Sequence, residues 1–376
     1  MRPRTAAAVA ASTVLGTGAA AVAVGRYAAG GALRPRRRPA PPGFPAEALT
    51  VHTRGPDRVS LTRTLDSGTP GVYGLTGSGC HAAIGPLLDV PDASPDTVVR
   101  ALLSVSGGDL RPGTRVHLTS QLHRGGPRDA LGLAAADVRV PAPAGALPAW
   151  WVPGARTTWV IAVHGPGTDR DLALNLLPLL SGLGLPVLGL GLRGDPDAPA
   201  APGGVAHLGL TEWLDVDAAL HYAVREGAAR IVLAGWSTGA SAALFTAARS
   251  VLRDRVGALV LDSPVLDWRG TVRALAARRA PRVPAALALR AALGRAELDA
   301  DRLDELADPH RPTVPALLLH GTEDPVASHA ASRAFVEARP DLMQLHSFRE
   351  ARHAAAWNAD PARCEAILQR FLTPHL

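Results

Sequence analysis

Residues 229–250, ARIVLAGWSTGASAALFTAARS, contain the transition that decides the fold. The run ARIVLAGW (229–236) is continuously apolar, as a strand buried on both faces must be, and the Ala-rich segment that follows is a helix former. Between them stands Gly235-Trp236-Ser237-Thr238-Gly239. A strand that turns into a helix within one residue makes a sharp, strained bend, and the flanking glycines let the two backbones approach. The bend sets the Ser237 hydroxyl at the edge of a sheet, beside the Thr238 N–H at the start of the helix.

Working outward, five further apolar runs repeat the pattern: TTWVIAVH (157–164), LPVLGLGL (185–192), GALVLDS (257–263), VPALLLH (314–320) and LMQLHSF (342–348). Helix-period segments lie near 169–183, 211–226, 238–250, 326–338 and 360–373. Buried strands alternating with helices predict a mainly parallel sheet covered on both faces, an α/β architecture. A hairpin, DVRVP and ALPAWWVP, precedes the first run, and a Pro- and Arg-rich insertion at about 264–313 reads as a short lid. Its excess of Arg reads as a solvated face or as a surface for anionic lipid or an acidic substrate. Upstream, residues 49–135 carry short apolar runs broken by Gly, Pro and Asp, a small β-rich region with one helix. His81, His117 and His123 within it are isolated and read as packing or surface side chains.

Ligands in such sheets bind beyond the carboxyl ends of the strands. A serine hydroxyl needs a base, and the base needs an acid to hold its tautomer. His353, on the loop after the last run, is the expected base. Asp324, in His320-Gly321-Thr322-Glu323-Asp324 just past the preceding run, is the expected acid. Asp267 is the rival acid, and His346 is a poorer base because it lies inside a strand run.

These residues resemble the α/β-hydrolase superfamily over roughly residues 137–376. The likeness rests on the His164-Gly165-Pro166-Gly167 loop, the G-x-S-x-G elbow, the H-G-x-x-D loop and the late histidine. HGPGTDRDLALNLLPLL, GLTEWLDVDAALHYAVREGAARIVLAGWSTG and HAAAWN look most like bacterial membrane-associated esterase- or lipase-like serine hydrolases. The resemblance implies a Ser237–His353–Asp324 triad, no metal and no cofactor, and a small acyl or ester substrate, a lipid among the options. It also implies an oxyanion donor from the Thr238 N–H and a second from the residue after His164-Gly165. That residue is Pro166, which has no N–H, so Gly167 is the expected substitute and Gly165 the alternative. His164, Pro166 and Trp236 are candidate pocket residues, with His164 in a loop-shaping role. The expected reaction is cleavage of a carboxylic ester through an acyl-enzyme. The alternatives are an acyltransferase, or a membrane-tethered binding or scaffold protein with weak or no activity.

Composition narrows the field. The chain has 376 residues, 39 Arg and no Lys, which excludes Schiff-base chemistry and a P-loop lysine. Seven Arg lie in the first 38 residues without a single acid, leaving 32 Arg against 33 acids in the rest. The basicity belongs to a terminal tail and not to a nucleic-acid surface. Cys80 and Cys364 could make at most one bridge. Gly189-Leu190-Gly191-Leu192-Arg193-Gly194 matches a dinucleotide fingerprint, but the following DPDAPAAPGG has no capacity to form the helix such a site requires, so it reads as a turn at the sheet edge. Asp169 with Arg170, or Arg193 with Asp195, could line the entrance or be solvated.

The expected organisation is a membrane anchor or signal segment (1–30), a Pro/Arg-rich linker (31–48) that holds the protein off the membrane, the β-rich region (49–135) and a hydrolase domain (136–376). The uncharged stretch Thr5–Gly25 would form a helix of about 31 Å, one hydrocarbon thickness. With five Arg after it and two before, the expected location is membrane-associated with the body facing the cytoplasm; a cleaved signal would place the body outside.

Overall fold

A computed structural model describes residues 40–91, 94–279, 290, 293–294 and 299–376. Strands β1 (Leu49–Arg54), β2 (Arg58–Thr62), β3 (Tyr73–Gly77), β4 (His81–Leu88), β5 (Thr97–Gly107) and β6 (Arg115–Thr119) close into an antiparallel barrel in the order β1-β2-β5-β4-β3-β6. Alternation drives it: in β6, Val116 and Leu118 enter the barrel core with Val51, Leu61, Leu75 and Ile84, while Arg115, His117 and Thr119 take the other face. One buried position breaks the apolar rule. Arg100 of β5 is fully buried and donates to the carbonyls of Ser67, Thr69, Gly71 and Gly85, which satisfies the guanidinium without an acid. A short helix, α1 (Gly126–Leu131), leads out.

The second layer is an eight-stranded sheet of β7 (Ala136–Val140), β8 (Leu147–Val152), β9 (Thr158–Val163), β10 (Val187–Leu190), β11 (Arg230–Trp236), β12 (Val256–Asp262), β13 (Ala316–Gly321) and β14 (Met343–Phe348). Its order is β14-β13-β12-β11-β9-β10-β8-β7, with β8 antiparallel to both neighbours and the remaining pairs parallel. Each apolar run singled out in the sequence is one of these strands. Helices α3 (Trp213–Arg225), α4 (Thr238–Arg249) and α7 (His329–Glu337) pack one face. Helices α2 (Leu177–Gly182) and α9 (Pro361–Leu372) pack the other. The helical stretch expected at 169–183 is split into a 3-10 turn (Arg170–Asn175) and α2, because Pro178 has no N–H to continue a helix and starts a new one.

The two layers are joined by buried amides. Asn358 donates to Val72 O and Ser120 O, and Asn175 donates to Ser120 O and accepts from Leu122 N. In the 264–313 insertion, α5 (Trp268–Arg279) and α6 (Ala300–Leu306) are tied by Trp268 Nε1 donating to Asp304 at 2.8 Å. Within that insertion, residues 280–289, 291–292 and 295–298 lie outside the described residues.

Two expectations are corrected. The first is membrane association through a single N-terminal segment. No helix among the described residues is long and apolar enough to cross a membrane. The longest, α3, has 13 residues and reaches only about 20 Å, and the stretch at 1–30 lies outside the described residues. The second is the spacer role of the linker over residues 40–48, its residues 31–39 lying outside the described residues. In its described part, residues 40–48, Ala40 to Gly43 are buried and Phe44 is inserted in the barrel core. This described part is a strap against the body, with Phe44 keeping 2% of its surface in water and edge-stacking on Tyr73.

Candidate active site

Ser237 is the single residue between β11 and α4, with a positive φ of 55°. Gly235 and Gly239 make the bend possible: a Cβ on Gly239 would enter the carbonyls of Val163 and His164, and one on Gly235 would come within 2.6 Å of the Ala240 backbone. The Ser237 N–H is held by Asp262 O at 2.9 Å, so the elbow is pinned to the end of β12.

Asp324 follows β13 on a turn that its own carboxylate closes, Oδ1 accepting from the N–H groups of Val326 (2.8 Å) and Ala327 (3.0 Å). Oδ2 accepts from His353 Nδ1 at 2.8 Å and lies 3.2 Å from His320 Nε2. Burial alone would raise the Asp324 pKa, but His353 and His320 outweigh it and hold the carboxyl well below the ordinary range. An ionised Asp324 fixes the proton on His353 Nδ1 and leaves Nε2 to accept from the Ser237 hydroxyl, 2.7 Å away. Ser237, His353 and Asp324 therefore meet in series, although 29 and 116 positions separate the bonded pairs in the chain.

His353 stands on the loop between β14 and α8 (Ala356–Ala359), and the end of β12 clamps that loop. Ser263 Oγ accepts from Ala354 N, and Asp262 Oδ2 accepts from Ala356 N, each at 3.0 Å. Complete burial pushes the Asp262 pKa up to about 6, against the pull of the Ala356 N–H, the Ser263 hydroxyl and the nearby imidazoles.

The loop after β9 lies beside the serine. A Cβ on Gly165 would sit 2.8 Å from Ser237 Cβ and 3.5 Å from Oγ, whereas Gly167 turns at φ 82° and rests on Pro41. Gly165, the alternative donor, thus abuts the serine, while Gly167, the expected one, abuts the strap. Thr238 opens α4 and Trp236 is buried at the end of β11. His164 Nδ1 donates to Gly165 O (2.9 Å) and Nε2 to Asp195 Oδ2 (2.7 Å). Burial opposes charge on this ring, but Asp195 prevails and pushes its pKa up to about 9. The Thr168 hydroxyl also donates to Gly165 O, so the loop is held from both sides of Pro166.

The strap completes the enclosure. Gly43 packs on His353, Pro41 packs on Gly167, and Arg278 of α5 donates to Phe44 O at 2.7 Å. Ser237 and His353 keep only 4% and 1% of their surface.

The rival residues go elsewhere. Asp267 caps Gly270 at the start of α5, and His346 lies on β14, away from the serine. The 189–194 glycines sit in strand β10 and the turn after it, where Gly189 accommodates Trp150 and Gly191 accommodates Pro148. Arg193 forms a buried pair with Asp215 at 2.6 Å and Asp195 pairs with His164, so the two do not pair with each other. The two cysteines are both buried and free. Among the described residues no cluster could hold a metal ion. Sequence reasoning missed the strap, the Asp195 partner of His164 and the Asp262–Ser263 clamp. Of these, only Asp262 carried a signal, as an acid at the end of an apolar run.

A mixed eight-stranded sheet with its serine at a strand-to-helix elbow is the architecture of the α/β hydrolases. The chain is similar to the esterase Pf2001 of Pyrococcus furiosus, at a TM-score of 0.55 and 19% identity over 67% of this chain and 94% of that one. A second crystal form of the same esterase gives a TM-score of 0.54 at the same identity and coverage. Est1E of Butyrivibrio proteoclasticus, with ferulic acid bound, gives 0.50 at 16% identity over 63% of this chain and 98% of its own. This chain has the α/β-hydrolase fold. Residues 49–119 match a family described as a domain of unknown function (DUF8805). No curated protein sequence matches the chain.

Proposed function

We propose that the protein is a serine hydrolase of carboxylic esters or related acyl compounds, with residues 136–376 as its catalytic domain. The observation that carries this reading is the hydrogen-bonded series Ser237 Oγ, His353 Nε2 and Nδ1, and Asp324 Oδ2, at 2.7 and 2.8 Å. In this scheme Ser237 Oγ attacks the carbonyl carbon while His353 Nε2 takes its proton, and Asp324 stabilises the imidazolium. The oxyanion forms beside the N-terminus of α4, where the Thr238 N–H has no acceptor within the helix. Gly165, against the serine, is the nearer source of the second donor. His353 then protonates the leaving alcohol, and water attacks the acyl-enzyme by the same route in reverse.

The esterase name of Pf2001 agrees with an ester substrate. A fluorophosphonate probe is expected to label the wild type and leave Ser237→Ala unlabelled; equal labelling of both would reject the scheme. A second reading, a weak or inactive binding protein on this fold, takes support from Pro166 and from the strap. Absent turnover of p-nitrophenyl esters together with absent labelling of folded protein would favour it.

A further inference from the structure

A cleft of about 970 Å³ lies between the barrel and the hydrolase sheet. One wall is the outer face of β3 and β6. Because side chains alternate along a strand, the burial of Val116 and Leu118 obliges Arg115, His117 and Thr119 to leave the barrel together, and Thr76 of β3 pairs with His117 across the ladder. Arg124, just past β6, joins the same wall. The opposite wall is made by Gly167–Asp169 and Gly194–Pro196. Gly167 is two residues, at most about 7 Å of chain, from Gly165, and Gly165 abuts Ser237. Pro41 of the strap forms the threshold between the two, since it lines the cleft and rests on Gly167.

The charges in the cleft are unequally matched. Asp195 is engaged by His164 and by Leu192 N. Asp169 accepts from Gln121 Nε2 and from Asp171 N, each at 3.0 Å. Among the described residues, by contrast, Arg115 has only the Thr50 hydroxyl at 3.3 Å, and Arg124 has no carboxylate within 4 Å. His117 Nδ1 is buried without a partner on the same wall. Asp195 is neutralised by His164, and two guanidiniums against the one remaining carboxylate, Asp169, leave the cleft with net positive charge for a ligand.

We propose that the β3–β6 face of the barrel is one wall of the substrate site, and that Arg115 and Arg124 there select acyl esters carrying a second, anionic group. This rests on the serine hydrolase reading above and gives the barrel a role in it: the ester lies on the Ser237 side of Pro41, and the anionic end lies in the cleft.

The test compares p-nitrophenyl butyrate with the mono-p-nitrophenyl ester of glutarate, in the wild type and in the double variant Arg115→Gln/Arg124→Gln. The wild type is expected to prefer the charged ester. The double variant is expected to lose about 10- to 100-fold more in kcat/KM on that ester than on the neutral one, mainly through KM. No preference in the wild type, or equal losses on both esters, would overturn the proposal. Titration of Ser237→Ala with glutarate and with inorganic phosphate, followed by calorimetry, separates this from the hydrolase reading because it needs no turnover. Binding that disappears in Ser237→Ala/Arg115→Gln/Arg124→Gln supports the anion site even if neither ester is cleaved, and the tighter of the two ligands identifies the anion. Absence of binding, or binding indifferent to the arginines, overturns it.

Discussion

Gly43 lies directly on His353, at a φ of 86°, so that any side chain at position 43 would occupy the space of the His353 Cβ. A segment from near the amino terminus thus forms part of the enclosure of a histidine more than 300 positions later.

Release of the strap is expected to expose the serine. Phe44 anchors it through the barrel core, Tyr73 and the Arg352 guanidinium over its ring. Phe44→Ala is expected to cost up to about 3–5 kcal/mol if the anchor unfolds with the whole, and to speed fluorophosphonate labelling of Ser237 several-fold. An unchanged labelling rate in a variant with a lowered melting temperature would show that the strap does not limit access.

Asp324 and Asp267 are both acids close after strands, and only Asp324 reaches an imidazole. Asp324→Asn is expected to lower kcat by roughly 10³–10⁴-fold, by allowing the wrong His353 tautomer. Asp267→Asn should leave kcat within a factor of about 3 and change stability little, because the Asn amide oxygen still accepts from Gly270 N. Ester hydrolysis by the two purified variants decides the assignment.

The His164–Asp195 pair gives a stability that depends on pH. An unfolded histidine titrates near 6.5, whereas His164 in the fold is pushed up to about 9. A raised pKa means that the folded state holds the proton more tightly. The contribution is therefore complete below about pH 6.5 and fades as pH climbs through about 9. Asp195→Asn should be less stable than the wild type by roughly 3 kcal/mol near pH 6, with the gap closing towards pH 9.5. Urea melts at both pH values measure it; a gap that widens with pH would contradict the assignment.

Arg100 supports the barrel by satisfying four carbonyls from within it. Arg100→Met should cost roughly 3 kcal/mol or more, since those acceptors would stay buried and unpaired. Arg100→Lys should recover little, because an ammonium does not reproduce the planar fork. Thermal melts of both variants check this.

Much of the fold was legible in the residues. Apolar runs bounded by turns read as buried strands, and a serine between glycines at a strand-to-helix junction stands at the sheet edge; places just after strands offered His353 as the base but both Asp324 and Asp267 as the acid. The choice between Gly165 and Gly167 was not legible. It turns on which backbone the serine touches and which one the proline strap covers, and both are contacts across the fold.

The amino-acid sequence by itself determined the strand and helix periods and the strained elbow at Ser237, because these depend on local burial pattern and on short-range steric rules; it left Asp324 and Asp267 as competing acids. Only the tertiary structure decided that the β-rich region closes into a barrel, that its Arg115 face looks onto the hydrolase loops, and that Pro41 to Phe44 seal the histidine. Those outcomes depend on which distant surfaces exclude water together, and hydrophobic burial is non-directional: it demands that Phe44 be covered without specifying by what.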